Sequence, residues 1–179
     1  MRITFKDCID RKRIIRFPEA KHLVNDEIKD SMEDLESAHE EFSKEGFKWA
    51  TIKGYYSIFH SARALLHSVG YRERGHFCLY LAMKELFVKE GKMEAEVAED
   101  LKNSMGLRED ADYGRKFSKK GANATIKAAE RFLSTAESIL KKNERVPKQC
   151  RVSRSYIEEE GRPLEVVINN SGDAILNYC

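Results

Sequence analysis

The sequence lacks most of the signals that mark secreted, metal-bound and membrane proteins. Its four cysteines, Cys8, Cys78, Cys150 and Cys179, stand far apart with no CxxC pair. That spacing excludes a zinc ribbon and reads as reduced thiols rather than a disulfide framework. No stretch reaches the roughly 18 apolar residues of a membrane span. The N-terminal segment MRITFKDCIDRKRIIRF has no apolar signal core, so a cytoplasmic location is expected. Three prolines and ten glycines in 179 residues favour long helices with few tight turns. Charged residues make up 35% of the chain, but the signs nearly cancel at +2. Total charge therefore announces no non-specific nucleic-acid binding and leaves room only for a local basic patch. HExxH and GxSxG motifs are missing, and Gly54, Gly70, Gly75 and Gly91 are too scattered for a phosphate loop. No internal repeat or low-complexity tract occurs.

Helical periodicity is what remains. Residues 1–17 form a basic lead-in with Lys6, Arg11, Lys12, Arg13 and Arg16, either a solvated run or an arm that touches phosphate. Pro18 suits a first helical turn. Val24, Ile28, Met32, Leu35, Ala38 and Phe42 then recur at steps of three and four, the stripe of an amphipathic helix that Gly46 ends. Trp49, Ile52, Tyr55, Tyr56, Phe59, Ala62 and Leu66 make the buried face of a second helix stopped at Gly70, with Trp49 in the core. A third helix runs from Phe77 to Glu90. A fourth, from about Glu94 to Tyr113, starts apolar at Val97, Leu101 and Met105 and ends polar at Arg108 and Asp112, with Gly106 weakening its continuity. A fifth carries Ala122, Ile126, Ala129, Leu133, Ala136 and Leu140 towards Asn143. In residues 144–179, alternating Leu164, Val166 and Ile168, a turn at 169–173, and Ala174 to Leu176 predict a short β-hairpin or an extended tail. The expected fold is all-α, an antiparallel four- to five-helix bundle over residues 18–143. Aromatic residues crowded along one long helix make a homodimer plausible.

The chemistry centres on the stretch from Trp49 to Glu90, which holds three of the five histidines. His60 and His67 lie two turns apart on one face, and His76 and Cys78 offer only two ligands, so no metal or other cofactor is expected. Metal-free RNA cleavage needs a cation for the phosphorane charge and an imidazole for the 2′-hydroxyl proton. Arg63 with His67, and Arg72 with His76, are each four apart. Arg63 reads equally as a salt bridge at the bundle edge. His67 reads as a helix-end cation favoured by the dipole. Tyr55, Tyr56 and Phe59 read as core rather than as a base-stacking platform.

Three segments, GYYSIFHSARALLH (54–67), GYRERGHFCL (70–79) and LREDADY (107–113), together resemble the HEPN family (higher eukaryotes and prokaryotes nucleotide-binding). The resemblance covers about residues 20–142. It implies a dimeric helical bundle with a cleft between protomers, often a ribonuclease acting as the toxin of a toxin–antitoxin pair beside a small nucleotidyltransferase. Ribonucleolytic members carry an Arg, commonly followed by a polar residue such as Asn, and then a His after a short gap. Here Arg108 matches the Arg, Glu109 stands where Asn is usual, and Tyr113 takes the place of the His; no His follows His76. A phenol with an ordinary pKa of ~10 is a poor base at neutral pH, so cleavage would require His76 to substitute in space.

The expected cleft is lined by Arg63, Arg72, His76, Arg108, Asp112 and Tyr113. His76 and Arg108 are the candidate catalytic pair, Arg72 and Arg108 hold phosphate, and Tyr113 orients or stacks. The expected ligand is RNA or a nucleotide, and the expected partner a nucleotidyltransferase. Two alternatives stand beside this: a catalytically silent interaction module in which Arg108 is an ion-pair hub for its neighbouring acids, and a metal-independent RNase with a rebuilt Arg/His site.

Overall fold

A computed structural model of the chain describes residues 3–145, 156–159, 162–168 and 174–178. The chain divides into two compact units, Met1–Leu140 and Lys141–Cys179. In the first unit, helix α1 (Phe5–Asp10) is opened by a capping box in which Thr4 and Asp7 satisfy each other's backbone N–H groups. Strand β1 (Ile14–Arg16) follows, and then a 3₁₀ turn (Pro18–Leu23) with proline at its first position. The long helices are α2 (Val24–Ser43) and α3 (Phe47–Ser68). Gly70, at φ +79°, ends α3 in the left-handed conformation that glycine adopts without strain. Strand β2 (Tyr71–Glu73) pairs antiparallel with β1, matching Ile14 to Glu73 and Arg16 to Tyr71. Helix α4 (His76–Met83) continues through a π turn (Lys84–Val88) to Gly91, and α5 (Ala95–Asp112) and α6 (Lys119–Arg145) complete the bundle. Gly106 does not interrupt α5.

The fold is the expected mostly helical bundle. Helix α3 is its axis, packed by α2, α4 and α5 and buried on nearly every side from Ala50 to His67. Tyr55, Ile58, Leu65, Leu66, Leu79, Met83, Phe87, Leu101 and Phe132 are among the largest fully buried side chains. Tyr55 and Phe59 belong to this core, as expected, whereas Tyr56 is half-buried. Gly54 lets α6 approach: a Cβ there would sit 3.1 Å from the γ-methyl of Thr125, whose hydroxyl is tied to the Gly121 carbonyl. Gly54→Ala is therefore expected to lower stability by about 1 kcal/mol in chemical denaturation, despite alanine's better helix propensity.

The second unit contains an antiparallel three-stranded sheet, β3 (Tyr156–Glu159), β4 (Arg162–Ile168) and β5 (Ala174–Tyr178), in the order β3-β4-β5. The expected hairpin is its β4–β5 pair, with Ile168 opposite Ala174. The expected turn at 169–173, Cys150 and Cys179 lie outside the described residues.

Three expectations are corrected. Trp49 is 53% exposed, because α3 buries Ala50 and Thr51 in its first turns, which leaves the indole on the open side under Lys48. In the α2 stripe Ile28, Leu35, Ala38 and Phe42 pack inward as expected, but Met32 is exposed, while Glu27 and Ser31 are buried against α3. Ser31 is satisfied there by Ser57 and Ser61. Cys8 and Cys78 are not free thiols but form a disulfide that ties α1 to α4. They are 70 residues apart in sequence, a separation that no local spacing rule connects. Closing so long a loop restricts the unfolded chain, so reductant, or Cys8→Ala with Cys78→Ala, is expected to cost about 2–4 kcal/mol, read as a lower urea midpoint.

Candidate functional site

Two polar clusters flank the Phe59 ring. The first joins α2, α3 and β2. Glu27, almost wholly buried, accepts a hydrogen bond from His60 Nδ1 at 2.7 Å and pairs with Arg63 Nη2 at 3.3 Å. Arg63 Nε lies 3.3 Å from Glu73, and Asp34 lies 3.7 Å from His60 Nε2. Burial works to raise the pKa of Glu27, but the His60 hydrogen bond and the Arg63 charge outweigh it and hold the carboxyl below its ordinary value. The hydrogen bond to Glu27 raises the pKa of His60. Burial raises that of Glu73. His67 is fully buried with no hydrogen-bond partner on either ring nitrogen. Burial, and the positive charge of Arg63, lower its pKa. The helix-end cation expected at His67 is thus corrected: the ring is buried, and desolvation acts against its charged form. Glu27, Asp30 and His60 bring three potential metal-ligand atoms within 4.8 Å. The hydrogen bond and the adjacent guanidinium already occupy Glu27, so the set reads as an ion network.

The second cluster lies where α3, α4 and α5 meet. His76, half-buried at the start of α4, stacks on Phe59 at 4.6 Å and on Tyr55 at 5.8 Å. Its Nδ1 is hydrogen-bonded to the Tyr55 hydroxyl. Burial pushes the Tyr55 phenol far above its ordinary value, so it keeps its proton and can donate it to Nδ1. When the phenol donates, Nε2 is the nitrogen that carries the proton of the neutral ring. Burial, and then the charge of Arg108, lower the His76 pKa. Burial and the Arg108 charge thus both act against the charged form of the ring. Arg108, on the last turns of α5, donates to the Tyr56 hydroxyl at 3.2 Å and pairs with Asp112 at 3.3 Å. Its guanidinium also lies over the rings of Tyr56 and Tyr113, at 5.8 and 5.4 Å. Tyr113 itself is 76% exposed.

The residues singled out from sequence thus fall into three groups. His76, Arg108, Asp112 and Tyr113 share one neighbourhood. Arg63 sits in the ion network, with its guanidinium over the Phe59 ring at 5.5 Å. Arg72 is exposed on β2, stacked on Phe17 at 5.9 Å. Sequence reasoning missed Glu27 and Tyr55 as site-forming residues. The signal for Glu27 was an acid on the helix face that the serines Ser31, Ser57 and Ser61 turn inward.

The sequence comparison names the class of this mostly helical bundle: residues 24–146 match the HEPN domain. The chain belongs to the HEPN family. It is 30% identical over 130 residues, 68% of this chain and 97% of the relative, to a protein of Methanocaldococcus jannaschii named "Putative toxin MJ0605".

Proposed function

We propose that this chain is a toxin-class HEPN protein that binds RNA or a nucleotide through Arg108 and His76. It acts as a homodimer, with a nucleotidyltransferase partner. The observation that carries the reading is geometric: His76 stacks on Tyr55, whose ring lies 5.5 Å from that of Tyr56, the residue to which Arg108 donates, and the exposed ring of Tyr113 lies against the same guanidinium. In this reading Arg108 holds phosphate, Nε2 of His76 donates to a phosphate oxygen, and Tyr113 stacks on a base or ribose. Arg72 reaches the same strand from the ribbon, Arg63 keeps His76 in place through Phe59, and Asp112 orients Arg108. The toxin role rests on the named relative and on the family.

Cleavage by His76 is a second reading, favoured by the same proximity to Arg108. It needs Nε2 to give up its proton, which the Tyr55 hydrogen bond opposes. One experiment separates the two: labelled mixed-sequence RNA with purified protein and chelator, beside Arg108→Ala and His76→Ala. Binding without cleavage, weakened in both variants, is the expected outcome. Metal-independent cleavage lost in both would establish the second reading, and absence of binding and cleavage alike would remove both.

A further inference from the structure

The N-terminal basic run and the arginines of β2 are distant in sequence but adjacent in the fold. Strand β1 precedes the HEPN-matched residues, which begin at residue 24, whereas β2 lies within them, so the ribbon adds one basic strand to the edge of the family domain. Alternation along the ribbon turns Ile14 and Glu73 inward, where both are buried. The outward face then carries Arg13, Ile15, Arg72 and Arg74. Arg13 and Arg74 stand side by side, joined by an Arg74 N–H to Arg13 carbonyl bond of 2.7 Å and by Arg13 Nη1 to the Arg74 carbonyl at 3.5 Å. Like charges facing across a ladder destabilise it, and fold stability gives no reason for them. Among the described residues, Arg11, Arg13, Arg16, Arg72 and Arg74 make no ion pair. Glu73, the one acid on the strand, is turned inward to Arg63. Two guanidinium groups lie over aromatic rings, Arg72 on Phe17 and Arg16 on Tyr71 at 5.7 Å. The ribbon leads to a cavity of about 470 Å³ lined by Arg11, Arg13, His76 and the Cys8–Cys78 disulfide, with Asp7 also on its wall. The Asp7 carboxylate is engaged by Thr4 in the α1 cap.

We propose that the β1–β2 ribbon is a track for the phosphate backbone of single-stranded RNA, with Arg13, Arg72 and Arg74 as its contacts and the Arg11–His76 cavity as the end that delivers the strand to the site. This rests on the RNA reading above. Alternate strand residues are about 6.6 Å apart, a spacing from which two guanidinium groups reach successive phosphates. Arginine planes stacked on aromatic rings beside a basic track are the elements that hold unpaired strands without reading sequence. An acidic protein partner would use the charges but not the rings.

The test is fluorescence anisotropy of a labelled oligouridylate with the full chain at several salt concentrations. It compares wild type, Arg13→Gln/Arg72→Gln/Arg74→Gln, the matching triple Lys variant, and Arg108→Ala. Each phosphate contact on a single strand contributes about 0.7 to the slope of log affinity against log salt. The triple Gln variant is expected to lose about 2 from that slope, the Lys variant to keep it, and Arg108→Ala to weaken binding with the ribbon's share of the slope intact. All three replaced side chains are exposed, so melting temperatures are expected to coincide; if the triple variant is unstable, Arg74→Gln alone should lose about a third as much. A wild-type slope in the Gln variant, with RNA still bound and weakened by Arg108→Ala, overturns the track and leaves the site reading standing. No RNA binding by wild type overturns both. Equal affinity for polyglutamate, lost in parallel, overturns RNA as the ligand of the ribbon.

Discussion

Replacing Glu27 with alanine is expected to destabilise the protein by about 3 kcal/mol, the lower end of the cost of breaking a buried ion pair by deleting one partner. Glu27 is the acceptor for His60 and the counter-charge for Arg63 on α3, and its Oε1 lies 3.9 Å from His67 Nδ1. Its loss leaves two cation-capable groups, each about one-fifth exposed, without their shared anion. Arg63 retains Glu73, and that retention sets the cost at the lower end. Glu27→Gln keeps an acceptor for His60 and should lose less. Glu33→Ala, which removes an exposed pair with Lys29, should fall within about 0.5 kcal/mol of wild type. Urea denaturation of the three variants decides this; equal midpoints for Glu27→Ala and Glu33→Ala would refute the role given to the network.

The same network predicts the pH dependence of stability, sign by sign. The folded-state pKa of Glu27 is lowered, so its contribution is present above the ordinary value of 4.5 and lost as pH falls through the folded value. Glu73 is raised and works in the opposite direction, gaining stability as pH falls through its folded value towards 4.5. The pKa of His60 is raised; its contribution is complete below 6.5 and lost as pH rises through the folded value. The pKa of His67 is lowered, so stability falls as pH drops below 6.5 towards its folded value. The two histidines therefore place an optimum near their ordinary 6.5. His60→Gln should flatten the alkaline limb and His67→Gln the limb just below neutrality, measured as urea midpoints across the pH range.

The helices were legible because their apolar residues keep one period over many turns. Every long helix lies within a few residues of its expected place, and Gly46, Gly70 and Gly91 fall at the ends they were expected to mark. What was not legible depends on pairing across distance. Cys8 and Cys78 meet because α1 packs on α4, and β1 meets β2 across more than fifty residues; neither short segment has a period of its own. The inward turn of Ser31 was hidden because hydrophobicity assigns Met32 inward and Ser31 outward, whereas Ser31 finds buried hydrogen-bond partners in Ser57 and Ser61. The polar end of α5 was legible as an ion pair from Arg108 and Asp112 at i and i+4. That His76 would come to it, with Tyr55 behind the ring, depends on the α3–α4 packing alone.

Arg108→Ala is expected to weaken RNA binding roughly 10- to 150-fold, the range for losing hydrogen bonds from a charged donor at about 1.5–3 kcal/mol. The fold should lose little. The partners left behind, Asp112 with its side chain 30% exposed and the hydroxyl of half-buried Tyr56, lie near enough to solvent to be hydrated, so the change in stability should stay within about 1 kcal/mol. This separates the site from the Glu27 network, where the same kind of substitution unfolds before it informs. Arg108→Lys is not expected to rescue binding. A lysine restores the charge but not the planar group held over Tyr56 and Tyr113, and it cannot present two parallel donors to one phosphate. The decisive comparison is the affinity of the three forms for the same oligonucleotide at one salt concentration, beside their melting temperatures. A lysine variant that binds as wild type would reduce Arg108 to a point charge. An alanine variant that binds as wild type would move the ligand away from α5 altogether.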